Sequence, residues 1–150
     1  MKKLLAITAA VLLSIGANAQ IVTPVKWAYA AKKTSPTEVT VFLKATIDAG
    51  WHIYSQNVKD GGPIKTSFTF AKSKDYTLVG KPVEPKPITK FEKSFSMDVS
   101  YFEKEVVFQQ KIKLKSANVA AIKGQLEYMT CNDQKCLPPD DVNFSIPVGK

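Results

Sequence analysis

Apolar and polar side chains alternate with a period of two in four stretches of this 150-residue sequence. Such alternation is typical of antiparallel strands that bury one face and expose the other. The apolar positions are Val39, Val41, Leu43, Ala45 and Ile47 in the first stretch, then Val106, Phe108, Ile112 and Leu114, then Ile122, Leu126 and Tyr128, and last Val142, Phe144 and Ile146. No amphipathic helical pattern stands out after residue 19, so the sequence predicts an all-β fold.

Turn signals separate these runs from four shorter strand candidates at residues 25–31, 51–56, 66–70 and 76–79. About eight short strands at this spacing predict an antiparallel β-sandwich of two sheets. Residues 81–90 carry three prolines, which exclude a central strand. We therefore expect an extended surface crossing there, leading into an irregular stretch at residues 91–97.

The N-terminus has the composition of an export signal. Lys2 and Lys3 precede an apolar run at residues 4–15, and Ala17-Asn18-Ala19 supplies a small-residue cleavage pattern. The run is too short for a membrane span. We predict a signal peptide at residues 1–19, a single domain at residues 20–150, a periplasmic location and no membrane insertion once the signal is removed.

The charge of the chain does not favour nucleic-acid binding. The formal net charge is +8, but all 21 basic residues are lysines and they are spread along the chain. Recognition of phosphate and guanine edges prefers the planar fork of arginine. We expect a solvated basic surface and no nucleic-acid partner.

Cys131 and Cys136 are the only cysteines and bracket four residues between two predicted strands. Their Cα atoms can therefore approach the roughly 4.4–6.8 Å that a disulfide needs, and an exported location lets the bond persist. A zinc site is not expected, because the chain has one histidine and no further cysteine. The spacing alone leaves open a structural staple and a redox-active pair.

The segment around the pair, Tyr128-Met129-Thr130-Cys131-Asn132-Asp133-Gln134-Lys135-Cys136-Leu137-Pro138-Pro139, resembles a known motif. It is similar to the cysteine hairpin in the N-terminal periplasmic domain of DsbD-type thiol-disulfide reductases. Gly50-Trp51-His52-Ile53-Tyr54 looks like the Gly-aromatic-x-x-Tyr strand of that family, and Tyr101-Phe102-Glu103 also fits.

The resemblance implies an immunoglobulin-like domain that relays electrons to oxidised periplasmic proteins. It implies that Cys136 exchanges with partners and that Cys131 resolves the mixed disulfide. His52 and Tyr54 match positions on the flanking strand, and Phe91 or Phe95 matches a phenylalanine that caps the pair.

Other interpretations of the flanking residues stay open. His52 could tune thiolate formation, or be a half-buried strand histidine with a hydrogen-bond partner. Tyr128 lies in the strand that leads to Cys131 and is a further candidate for an aromatic residue beside the cysteine pair. Both Tyr54 and Tyr128 could instead be core residues.

We therefore predict a thiol-disulfide interchange domain of oxidoreductase type that needs no cofactor. The resemblance covers one domain, so the reductant is expected to be a separate membrane or thioredoxin-like protein, and the substrates oxidised periplasmic proteins. The alternative is a non-catalytic β-sandwich binding module in which the Cys131–Cys136 disulfide is a structural staple.

Overall fold

The computed structural model describes residues 22–116 and 118–148, which form eleven β-strands. These residues contain no helix long and apolar enough to cross a membrane. The predicted signal peptide lies outside the described residues. The strands are β1 Val25–Ser35, β2 Glu38–Ile47, β3 His52–Tyr54, β4 Ser67–Phe70, β5 Tyr76–Val83, β6 Ile88–Glu92, β7 Met97–Glu103, β8 Glu105–Leu114, β9 Ala121–Tyr128, β10 Thr130–Cys131 and β11 Asp140–Pro147.

The strands form three sheets, and every strand pairing among the described residues is antiparallel. The first sheet has the order β1-β2-β8-β5, the second β10-β3-β7-β6 and the third β11-β9-β4. Met129 alone separates β9 from β10, so the third sheet continues along the chain into the second. All three sheets contribute side chains to one main core, which confirms the predicted all-β sandwich, although the strands number eleven rather than about eight and form three sheets rather than two.

The alternation along β2 and β8 builds the centre of this core. Val41, Leu43, Ala45 and Phe108 are fully buried, as the period-two pattern predicts. Aromatic rings then join the sheets across the core: Phe108 of β8 packs against Phe68 of β4 at 4.9 Å between ring centroids and against Phe102 of β7 at 5.8 Å. Phe102 thereby anchors one face of the second sheet.

Residues 81–97 are more regular than predicted. β5 continues through Pro82 to Val83, and β6 starts at Ile88, so the crossing between sheets is reduced to residues 84–87. Both strands lie at sheet edges. Proline is tolerated in an edge strand because its missing amide hydrogen can face solvent instead of a neighbouring strand. The prediction that these prolines exclude a central strand is therefore compatible with the structure, whereas the expectation of an irregular stretch at residues 91–97 is right only for the turn at residues 93–96.

β6 and β7 form a hairpin with a turn at residues 93–96. The amide of Phe95 donates to the carbonyl of Glu92, and the amide of Ser96 donates to that of Lys93, both at 3.2 Å. Ser96 takes a φ of 52°, in the left-handed region. This compact turn carries Phe95 to the outer face of the second sheet.

Candidate functional site

The two cysteines form a disulfide across a tight hairpin. Cys131 ends β10, Cys136 faces it in an isolated antiparallel bridge, and the sulfur atoms are 1.97 Å apart. Backbone hydrogen bonds flank the pair on both sides, from the amide of Asn132 to the carbonyl of Lys135 and from the amide of Leu137 to the carbonyl of Thr130, each at 2.9 Å. The Cα atoms are 4.0 Å apart, closer than the predicted range, because directly opposed non-hydrogen-bonded residues approach most closely in an antiparallel pair.

Asn132 shapes the turn between the cysteines. Its side-chain oxygen accepts hydrogen bonds from the amides of Gln134, at 2.9 Å, and of Lys135, at 2.8 Å. Asparagine favours turns because its side chain can hydrogen-bond to the backbone a few residues later. The four residues between the cysteines thus form the turn predicted from the sequence.

The two cysteines differ in their exposure to solvent. Cys131 is 2% exposed and belongs to a small cluster with Tyr54, Val99 and Tyr101, whereas Cys136 is exposed. Thiol-disulfide exchange requires an incoming thiolate to reach one sulfur of the disulfide. Access from solvent therefore favours attack at Cys136.

Strand register sets the surroundings of Cys131. Cys131 of β10 lies opposite His52 of β3, and His52 lies opposite Glu103 of β7. Directly opposed residues share one face of a sheet, and the next residue along a strand points to the other face. Ile53 and Phe102 accordingly enter the main core, so the face with Cys131 and His52 is free to form a site.

Two tyrosines enclose the His52 ring. The ring centroid of Tyr54 lies 5.2 Å away and that of Tyr101 4.9 Å away. The Nε2 atom of His52 and the hydroxyl of Tyr54 are 3.2 Å apart and share a hydrogen bond. The hydroxyl of Thr130 in β10 donates to the carbonyl of His52 at 2.9 Å, which fixes β10 on β3.

Burial dominates the ionisation of these side chains. It lowers the pKa of His52, although the carboxylates of Glu92, Glu103 and Asp133 oppose that change. Burial also raises the pKa of Tyr54 to about 12. At neutral pH the site therefore holds an uncharged imidazole beside an uncharged phenol.

An open cleft of about 440 Å³ exposes this face of the second sheet. It is lined by His52, Tyr54, Lys90, Glu92, Ser94, Phe95 and residues 131–136. Lys90 and Glu92 are neighbours on β6, 3.9 Å apart at their charged atoms. The cleft therefore places the disulfide among an imidazole, a phenol and charges of both signs.

The structure separates the two candidate cap residues. Phe95 is half-buried, lines the cleft and packs against the cluster that contains Cys131. Phe91 is 56% exposed on β6 and does not line that cleft. Of the two candidates, Phe95 therefore lies in the cleft beside the disulfide, next to the cluster that contains Cys131.

Tyr128 lies apart from this cleft. It packs against Trp27 in the main core, at 5.5 Å between ring centroids, and its hydroxyl donates to Asp140 at 3.2 Å. It lines a separate groove of about 700 Å³ that runs along Leu137, Pro138 and Pro139. Of the five predicted flanking residues, the cleft thus brings His52, Tyr54 and Phe95 to the disulfide, but not Phe91 or Tyr128.

Sequence reasoning assigned no site role to Lys90, Glu92 or Tyr101. Met97, Val99 and Tyr101 alternate with Asp98 and Ser100, a pattern that could have revealed β7 and the face on which Tyr101 lies. No such signal marks Lys90 and Glu92, because β6 is short and exposed. Among the residues that the structure covers, no group of three or more His, Cys, Asp or Glu could hold a metal ion.

Comparison with known proteins supplies an independent result. The family described as thiol:disulfide interchange protein DsbD, N-terminal, matches residues 19–147. A search of curated protein sequences found no match.

Solved structures show the same fold. The N-terminal periplasmic domain of ScsB from Proteus mirabilis is similar with a TM-score of 0.62 and 19% identity. The match covers 87% of this chain and 49% of the ScsB chain, so this chain spans about half the length of that domain. The reduced DsbD N-terminal domain of Neisseria meningitidis is similar with a TM-score of 0.56 and 19% identity, covering 90% and 96% of the two chains. The structure of the complex between the DsbD and PilB N-terminal domains of Neisseria meningitidis holds a third match, with a TM-score of 0.54, 18% identity and coverage of 84% and 87%. These similarities confirm the predicted immunoglobulin-like sandwich.

Proposed function

Because this chain belongs to the family of the N-terminal domain of thiol:disulfide interchange protein DsbD, we propose that it passes reducing equivalents between periplasmic proteins through Cys131 and Cys136. The observation that carries the proposal is the unequal exposure of the two cysteines within one disulfide hairpin. A bond that served only as a staple would need no accessible sulfur and no cleft of polar and aromatic side chains beside it.

The two cysteines have different roles in the proposed exchange. In the reduced protein, the Cys136 thiolate attacks one sulfur of a partner disulfide, and the second partner sulfur leaves as a thiolate. Cys131 then attacks Cys136, which closes the Cys131–Cys136 disulfide and releases the partner as a dithiol. Two electrons pass to the partner, and a separate reductant restores the dithiol.

The partners in this proposal are proteins with thiol-disulfide chemistry. The DsbD N-terminal domain of Neisseria meningitidis forms a complex with the PilB N-terminal domain, which is a precedent for a protein partner of such a domain. By analogy, we propose that partners dock over the cleft at Cys136. The reductant would be a membrane or thioredoxin-like protein, and the substrates would be oxidised proteins of the periplasm.

The reduction potential of the pair tests this proposal. Structural disulfides have potentials below about −300 mV and resist glutathione, whereas working pairs are more oxidising. We expect equilibration with a glutathione buffer to give a value above that limit. A value deep in the structural range would contradict the interchange role.

Trapping of mixed disulfides tests the assignment of the two cysteines. Cys131→Ser leaves Cys136 able to attack but removes the resolving thiol, so it should accumulate covalent adducts with periplasmic proteins. Cys136→Ser is the matched control and should trap little, because Cys131 is buried. Equal trapping by both variants would refute the assignment.

The non-catalytic binding module remains the second candidate, and the groove beside Trp27 and Tyr128 is the observation that favours it. In that case Cys136→Ser should lower stability and leave partner capture unchanged. No adduct would then form with either cysteine variant.

A further inference from the structure

Resolution of a mixed disulfide requires Cys131 to react in a place that is poorly suited to it. The nucleophile in exchange is the thiolate, and burial disfavours a charged sulfur. Cys131 is 2% exposed, so water has little access to take its proton. A base held beside Cys131 would remove this obstacle.

His52 is the side chain in position to act as that base. It lies directly opposite Cys131 in the β10–β3 register, and both residues line the cleft. Side chains of directly opposed residues have Cβ atoms about 4.5–5.5 Å apart, within reach of an imidazole. In the tautomer with the proton on Nε2, the imidazole donates a hydrogen bond to the Tyr54 hydroxyl across their 3.2 Å contact, which leaves the lone pair of Nδ1 free.

Charged side chains from β6, β7 and the cysteine turn surround His52. Glu92 and Lys90 of β6, Glu103 of β7 and Asp133 of the hairpin turn act on its ionisation, and the uncharged phenols of Tyr54 and Tyr101 enclose the ring. Desolvation outweighs the three carboxylates, so the pKa of His52 is lowered. The imidazole is therefore neutral at pH 7 and able to accept a proton.

We propose that the His52 imidazole accepts the proton of the Cys131 thiol in the step that resolves the mixed disulfide. This inference rests on the proposed interchange function. The proton moves from Cys131 to His52, the new thiolate attacks the Cys136 sulfur, and the Cys131–Cys136 bond forms as the Cys136–partner bond breaks. The partner sulfur leaves with the electron pair, and His52 returns its proton to that thiolate or to water.

The two steps can be separated with one equivalent of 5,5′-dithiobis(2-nitrobenzoate) added to the reduced protein in a stopped-flow instrument. Attack by Cys136 releases a first thionitrobenzoate, and resolution by Cys131 releases a second. Each release is followed by its absorbance near 412 nm. The fast and slow phases therefore report the two cysteines separately.

His52→Gln should slow only the second phase. A general base contributes about 10²–10⁴-fold, and we expect a loss near 10²-fold at pH 7 with the first phase changed less than about twofold. In the unsubstituted protein the second phase should also fall tenfold per pH unit below the pKa of His52. That inflection should be absent in His52→Gln.

Glu103→Gln provides a second readout that keeps the imidazole in place. The Glu103 carboxylate raises the pKa of His52, so its removal should move the inflection of the second phase to lower pH without abolishing it. A merely structural contribution of Glu103 would change the rate without moving the inflection.

The results separate this inference from the proposed function. A biphasic reaction with an unchanged second phase in His52→Gln, or with both phases slowed equally, would overturn the role of His52 alone. Release of only one thionitrobenzoate by the unsubstituted protein would contradict the interchange function itself.

Discussion

Removal of the Phe95 side chain should change which sulfur of the disulfide reacts. Phe95 packs against the cluster of Tyr54, Val99, Tyr101 and Cys131, whereas Cys136 is already exposed. Phe95→Ala should therefore open a path to Cys131 and leave attack at Cys136 almost unchanged. Phe91→Ala is the matched control, since Phe91 lies four residues earlier in the same hairpin and outside the cleft.

The burial of Phe95 sets the size of the effect. Full burial of a phenylalanine side chain contributes about 1.5–3 kcal/mol. A half-buried ring then contributes on the order of 1 kcal/mol to the closed position of the turn. Since about 1.4 kcal/mol corresponds to a factor of ten, the open population should rise about fivefold in Phe95→Ala.

The sequence makes this selectivity measurable. The oxidised protein is treated briefly with glutathione, quenched with acid, alkylated and digested with trypsin. Lys135 lies between the cysteines, so cleavage after it places Cys131 and Cys136 on different peptides. The ratio of glutathione adducts on the two peptides then reports which sulfur was attacked.

We expect mostly Cys136 adducts in the unsubstituted protein and in Phe91→Ala. The share of Cys131 adducts should rise about fivefold in Phe95→Ala, in line with the estimated burial energy. An unchanged ratio in Phe95→Ala would show that Phe95 does not shield Cys131. The same rise in Phe91→Ala would show that the hairpin has loosened generally.

Three further predictions concern stability. Gly124→Ala would place a Cβ 2.5 Å from the Phe144 ring and should lower the free energy of unfolding by about 1–3 kcal/mol in urea titrations. Glu84→Gln should cost about 1.5–3 kcal/mol in the same assay, because the Glu84 carboxylate accepts hydrogen bonds from residues 55–57 and an amide would face those donors. Burial and Asp140 raise the pKa of Tyr128 to about 12. The Tyr128 hydroxyl therefore ionises at lower pH in the unfolded chain than in the folded protein, and the free energy of unfolding should fall between pH 10 and 12. Tyr128→Phe should show a smaller fall in unfolding titrations over that range.

Patterns that extend along one strand could be read directly from the sequence. The alternation at Val39–Ile47 predicts a buried face, and the structure buries that face because side chains of the other two sheets pack with it in the main core. The cysteine hairpin was also predictable, since its turn is closed by local contacts of Asn132. In both cases the determining contacts are close in sequence or repeat with a strict period.

The composition of the cleft could not be read in this way. His52 and Cys131 meet through the register of β3 with β10, which depends on pairing between distant parts of the chain. The choice between Phe91 and Phe95 depends on the turn at residues 93–96, where a residue with positive φ redirects the chain. Edge strand β6 is mostly exposed, so no periodic pattern of buried residues in the sequence marks Lys90 and Glu92 as part of the cleft.

The two faces of the second sheet have different surroundings, one in the main core and one in the cleft. Ile53 and Phe102 bury one face in the main core, which holds β3 and β7 against the other two sheets. The opposite face carries His52 and Cys131, and there Phe95 of the turn at residues 93–96 packs against the cluster that contains buried Cys131, whereas Cys136 is exposed. Substitutions on the core face should therefore act through stability. Substitutions on the cleft face should instead change which cysteine reacts and how fast, while the fold remains intact.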